Sequence, residues 1–79
     1  MDAALAARIT LDPEIMVGKP VITGTRIPVE LIVRMIAQGI TIEEILEEYP
    51  RLEREDVKAA LTYAADVVAR DEIFLLAEA

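Results

Sequence analysis

Fifteen carboxylates and eight cations share a chain of 79 residues that contains no histidine and no cysteine. The acids crowd one stretch: Glu43, Glu44, Glu47 and Glu48, then Glu53, Glu55 and Asp56. Hydrolytic chemistry would need two carboxylates converging in a cleft, or several holding a metal ion. Glu43 and Glu47 share one helix face, as do Glu44 and Glu48. The same spacing makes a solvated face opposite an apolar stripe. Without histidine there is neither the commonest general base nor the commonest metal ligand. Without cysteine there is no thiolate nucleophile, zinc ligand or disulfide. No catalytic, metal-binding or cofactor-binding residue is assigned.

The cations offer other chemistry. Gly18-Lys19 invites comparison with a phosphate loop, but that loop needs Gly-Lys-Ser/Thr opening onto a helix. Here Pro20 and a β-branched run follow. Lys19 and Arg26 flank the next turn, where they could anchor an acidic partner or a phosphate; the favoured reading is that they are solvated or pair with nearby Asp12 and Glu14. Arg51, Arg54 and Lys58 lie where a last helix begins and could meet DNA there. Glu53, Glu55 and Asp56 are interleaved with them, and the net charge of −7 repels phosphate backbones. The aromatic residues are Tyr49, Tyr63 and Phe74 alone, too few for a base-stacking platform.

These residues must be positioned by short elements. Met1 to Ala7 is an alanine-rich lead-in, helical or frayed. "RITL" from Arg8 alternates as a half-buried strand does. Asp12-Pro13 punctuates, and Ile15 and Met16 are expected to turn inward. Gly18, Pro20, Gly24 and Pro28 are read as structural turn residues. Pro20 starts a strand over "VIT", "TGT" turns with Gly24 at positive φ, "TRI" could return as a second strand, and Pro28 opens a helix.

That helix is predicted from Pro28 to Gln38, with Val29, Ile32, Val33 and Ile36 as its stripe and Leu31 and Met35 widening it. Gly39 is its left-handed cap. Thr41 and Glu44 mark a capping box for the next helix, carrying Ile42, Ile45, Leu46 and Tyr49, and Pro50 stops it. A third helix starts near Glu53 or Arg54, with Val57, Ala60, Leu61, Ala64, Val67 and Val68 inward. Arg70-Asp71-Glu72 interrupts this pattern before "IFLLAEA". The expected fold is mainly α: a compact three-helix, helix-turn-helix-like unit over residues 8–65 with a short N-terminal β element. Residues 1–7 lead in and residues 66–79 form a C-terminal extension.

A single domain of this size buries about 60% of its unfolded surface. Hydrophobic residues make up 54% of the chain, which excludes disorder and leaves apolar surface for a partner. No run approaches the roughly 20 apolar residues of a membrane span, and no signal peptide is evident. A cytoplasmic protein is expected. The tail "RDEIFLLAEA" can complete the core or dock into a partner's groove.

Two segments, "DPEIMVGKPVITGTRIPV" and "YPRLEREDVKAALTYAA", lie within a stretch from Arg8 to Ala65 that resembles the family catalogued as domain of unknown function 433. Glu53 stands where the family typically has a threonine N-cap, which weakens the cap. The resemblance implies a helix-turn-helix-like fold, self-association as a homodimer, and a role as a VapB-type antitoxin. Such a protein neutralises a PIN-like ribonuclease toxin by binding and is not an enzyme. On that reading residues 66–79 dock the toxin, with Arg70 meeting its carboxylates and Ile73, Phe74, Leu75 and Leu76 supplying apolar contact. The alternative is a DNA-binding regulator using Arg51, Arg54 and Lys58.

Overall fold

In the computed structural model the backbone is described for residues 1–78 and side chains through Arg70. The elements run α1 (Ala3–Ala6), β1 (Ile9–Thr10), a turn at Met16–Gly18, β2 (Val21–Ile22), α2 (Val29–Ala37), α3 (Ile42–Glu48) and α4 (Arg54–Glu78). The fold is mainly α with a two-stranded antiparallel ribbon in which Ile9 faces Ile22 and Thr10 faces Val21.

The ribbon is held by more than its ladder. The Thr10 and Thr23 hydroxyls lie 2.8 Å apart, and Thr23 also donates to the Ala7 carbonyl. After β2 the chain turns on Gly24 (φ +80°), and the Thr25 N–H closes onto the Ile22 carbonyl. A positive φ at the third turn position is the type II requirement that glycine meets without strain. The returning "TRI" forms no strand of its own. It pairs through Ile22 N–H to the Ile27 carbonyl and Val29 N–H to the Pro20 carbonyl, with one bridge between Val21 and Pro28. Pro28 lacks a donor and leads at once into α2, so this pairing ends where helix begins.

Pro28 is the N-cap of α2, which buries Val29, Ile32 and Met35. Its C-terminus closes with Gly39 N–H to Ile36 O and Ile40 N–H to Met35 O, a Schellman pattern that places Gly39 at φ +87°. Thr41 caps α3 by accepting from the Glu44 N–H at 3.1 Å. The core gathers Ile22, Val29, Ile32, Met35, Ile45, Leu52, Val57 and Ala60, drawn from the ribbon, α2, α3, α4 and the connection between α3 and α4.

Of the two forms expected of the lead-in, the helical one is found: Asp2 caps α1, which packs on α4 with the Met1 amine 3.6 Å from Asp66. Several other expectations need correction. Ile15 is half-buried, but Met16 faces solvent, because the turn it enters is left-handed. Lys19 pairs with Glu30, not with Asp12 or Glu14. Val68 lies outside the core at 59% exposure. The Arg70-Asp71-Glu72 triplet interrupts the apolar pattern and not the helix, since α4 is continuous for 25 residues. Arginine and glutamate are good helix formers and aspartate is tolerated, so hydropathy falls there while hydrogen bonding continues. The long helix raises the radius of gyration to 13.3 Å, against about 12 Å for a compact chain of this length.

Candidate functional site

Three features stand out from the body. The first is a buried charge at the start of α4. Asp56, 6% exposed, is the one buried charged residue among the described side chains. Its Oδ2 accepts from the Glu53 N–H at 2.8 Å, and its Oδ1 from Arg8 Nη1 at 2.9 Å. The weak Glu53 cap is thus compensated from inside the helix: Asp56 reaches back to the capping residue's own N–H, the reciprocal half of a capping box. The Glu53 side chain turns away to the same Arg8 Nη1, at 3.3 Å. The Asp56 hydrogen bond and the two carboxylates raise the Arg8 pKa above its ordinary value, with partial desolvation opposing them. This knot fastens the ribbon to α4.

The second feature is the turn over Met16–Gly18. Three consecutive residues take positive φ: Met16 at +50°, Val17 at +56° and Gly18 at +79°. For a β-branched residue this conformation is a genuine outlier, costing about 1–2 kcal/mol. Val17 is nonetheless 95% exposed. Asp12 helps set the turn up by accepting from the Glu14 N–H. Sequence reasoning missed this geometry because only Gly18 signals it.

The third feature is a groove of about 510 Å³ between α2 and α4. Val29, Val33, Tyr63, Ala64, Val67 and Val68 make its apolar surface. Lys19, Glu30 and Arg34 stand at its edge, with Lys19 Nζ 2.7 Å and Arg34 Nη2 3.7 Å from Glu30. The Lys19 hydrogen bond, with Arg34 behind it, lowers the Glu30 pKa. The sequence did signal this wall, as the apolar stripe of α4, but not that the chain leaves it uncovered.

The DNA candidates separate. Arg51 donates to the Gly24 carbonyl at 2.6 Å and so braces the turn. Arg54 is paired with Glu43 at 2.9 Å, a hydrogen bond that lowers the Glu43 pKa. Lys58 is exposed beside a smaller depression between α3 and α4, and Arg26 is exposed beyond the turn. Gly18 and Gly24 take positive φ, Pro20 directly precedes β2, and Pro28 is the N-cap of α2, one position before the first helical position expected of it. Of the proposed toxin contacts, Arg70 is exposed and donates from Nε to the Asp66 carbonyl at 3.4 Å. The side chains of Ile73, Phe74, Leu75 and Leu76 lie outside the described residues. No cluster of three carboxylates able to hold a metal ion occurs among the described residues. No helix there is long and apolar enough to cross a membrane.

The profile of a family described as a protein of unknown function (DUF433) matches residues 9–64. The chain is 39% identical over 66 residues to an uncharacterized protein, y4eO, of Sinorhizobium fredii, which covers 81% of this chain and 30% of the relative. It thus spans less than a third of that protein's length. A 28-residue stretch, 35% of the chain, is 61% identical to an uncharacterized protein of Archaeoglobus fulgidus and spans 78% of it. The crystal structure of a DUF433 member from Anabaena variabilis matches with a TM-score of 0.76 at 32% identity, over 92% of this chain and 72% of that one.

Proposed function

The chain belongs to the DUF433 family, and on that premise we propose that it is the antitoxin of a type II toxin–antitoxin pair. In this role it binds a PIN-like ribonuclease in the cytoplasm and blocks it without chemistry of its own. The observation that carries the reading is the second half of α4. From Leu61 to Arg70 this helix has no fully buried residue, yet it presents Val67 and Val68 and continues to Glu78. A helix that outruns its own domain while keeping apolar positions is suited to lie in another protein's groove. The chain's net charge of −7 complements the basic rim with which a ribonuclease attracts RNA. Arg70, exposed on the same helix, is the side chain to meet the nuclease's acidic centre, since guanidinium–carboxylate pairs are strong and directional.

Ending the chain after Arg70 tests this. The shortened protein is expected to keep its melting transition, because the core lies in residues 22–60, and to lose inhibition of the nuclease encoded beside it. Full inhibition by the shortened protein would remove residues 71–79 from the docking surface.

A DNA-binding regulator is the second reading. In its favour, Arg54 and Lys58 are exposed on the first turns of α4 across a short connection from α3, the place from which a recognition helix contacts DNA. A mobility-shift titration on the protein's own promoter at two salt concentrations decides. Retardation that weakens with salt supports it, and none at low salt, with or without the nuclease, sinks it.

A further inference from the structure

The turn over Met16–Gly18 is strained, and the folded chain gains no packing from its central residue. Val17 takes φ +56° and ψ +39°, between Met16 at φ +50° and Gly18 at φ +79°. Branching at Cβ makes valine one of the residues least suited to this region. Its side chain is nonetheless 95% exposed, so no buried contact offsets the strain. The conformation is imposed from both sides. Before it, the Asp12 carboxylate accepts from the Glu14 N–H and the Asp12 carbonyl from the Ile15 N–H, each at 2.9 Å. Across it, the Gly18 N–H donates to the Ile15 carbonyl at 3.1 Å and the Lys19 N–H to the Met16 carbonyl at 3.2 Å. After it, the Lys19 side chain is held by Glu30 at 2.7 Å. Strain that a fold imposes so firmly, and leaves at its surface, points to a use outside the fold.

The surroundings say what that use is. Three of the five exposed large apolar residues among the described side chains, Leu11, Met16 and Val17, lie in this one segment. The only charges between Leu11 and Val17 are Asp12 and Glu14. Acids beside an apolar tip repel nucleic acid and anionic lipid alike. A protein with an apolar pocket and a basic rim is the matching partner. Just past Gly18, Lys19 and Pro20 line the groove between α2 and α4 together with Val67 and Val68. The turn therefore borders the apolar surface that α4 leaves uncovered.

We propose that Val17 is a preformed anchor that enters an apolar pocket of the nuclease, making the turn a second docking element beside α4. This rests on the nuclease reading. The turn is already fixed in the free chain, so binding loses little ordering entropy there. Leu11 and Met16 surround the anchor with apolar contact, and Asp12 and Glu14 supply charge opposite the basic rim.

Stability and binding should then move in opposite directions on one substitution. Val17→Gly removes the strain and the anchor together. It is expected to raise the melting temperature by about 3 °C and to weaken binding to the nuclease encoded beside it about 20-fold or more. Val17→Asn accepts the left-handed region and keeps the turn defined, and is expected to bind as weakly as the glycine variant. Val17→Leu keeps an apolar side chain without the branch, and is expected to bind within about threefold of wild type. Wild-type affinity in Val17→Gly or Val17→Asn would overturn the anchor and leave the nuclease reading standing. A lower melting temperature for Val17→Gly would remove the strain on which the anchor rests. A wild-type chain that does not bind the nuclease would end both.

Discussion

The two halves of α4 obey different rules. In the first, Val57, Ala59 and Ala60 are fully buried, and Asp56 ties the helix start to Arg8. In the second, from Leu61 to Arg70, no residue is fully buried, and Val68 is more than half exposed. One continuous helix thus first organises the chain's own core and then leaves apolar positions uncovered. Apolar content alone does not distinguish these tasks. What distinguishes them is whether α2, α3 and the ribbon reach across to cover the helix.

Substitutions along the helix should reproduce that division. Val57→Ala removes two methyl groups from the core, and urea unfolding should show a loss of about 2.5 kcal/mol. For a domain of this size that lowers the melting temperature by roughly 10–20 °C. Asp56→Ala, one position earlier, should cost about 2 kcal/mol, the loss of a helix cap and a partly screened ion pair. Asp56→Asn should recover much of the cap and little of the pair. If Asp56→Ala leaves stability untouched, the knot does not hold the first half in place.

Gly24→Ala extends the comparison to the ribbon that the first half depends on. A Cβ there meets no atom within 4 Å, so the cost is conformational alone, about 1 kcal/mol. A much larger loss in thermal melting would mean that bracing by Arg51 fails as well. Val68→Ala, measured in dilute solution, should change stability by less than about 0.5 kcal/mol, since alanine is the better helix former and little burial is lost. Equal costs at Val57 and Val68 would erase the distinction between the halves.

The smallest effect concerns acid. Glu30 and Glu43 both have folded-state pKa values below their ordinary ones, through Lys19 and Arg54. A depressed carboxylate contributes stability above its unfolded pKa and loses it as pH falls through the folded value. Glu30→Gln and Glu43→Gln should therefore flatten the decline in stability below about pH 4.5. The difference should shrink as salt is added, because both pairs are exposed.

Much of this was legible in the sequence where one local rule governs one residue. Thr41 with Glu44, Gly39 after the α2 stripe, and Pro28 before it all act within four residues of themselves. The exposed left-handed turn was not legible, because Met16 and Val17 have no preference for positive φ and are held there by their neighbours. Nor was the partner of Lys19, since Glu30 lies 11 residues away and is brought near only by the corner at Gly24. The end of α4 was hidden for another reason: Arg70-Asp71-Glu72 breaks the hydrophobic pattern, and hydropathy does not track helical hydrogen bonding. For the candidate surfaces, the sequence identified which residues are apolar. Only the packing revealed which of them remain uncovered.

The contact between Arg8 and Asp56 joins residues 48 apart, and this has a kinetic consequence. Closing so long a segment is entropically slow compared with forming the neighbouring turns of α2, α3 and α4. The trihelical unit should therefore assemble first, with the N-terminal ribbon docking onto it late. Pulse-labelling hydrogen exchange should find the amides of Ile32 and Ile45 protected before those of Ile22 and Thr23. The reverse order would mean that the ribbon templates the helices.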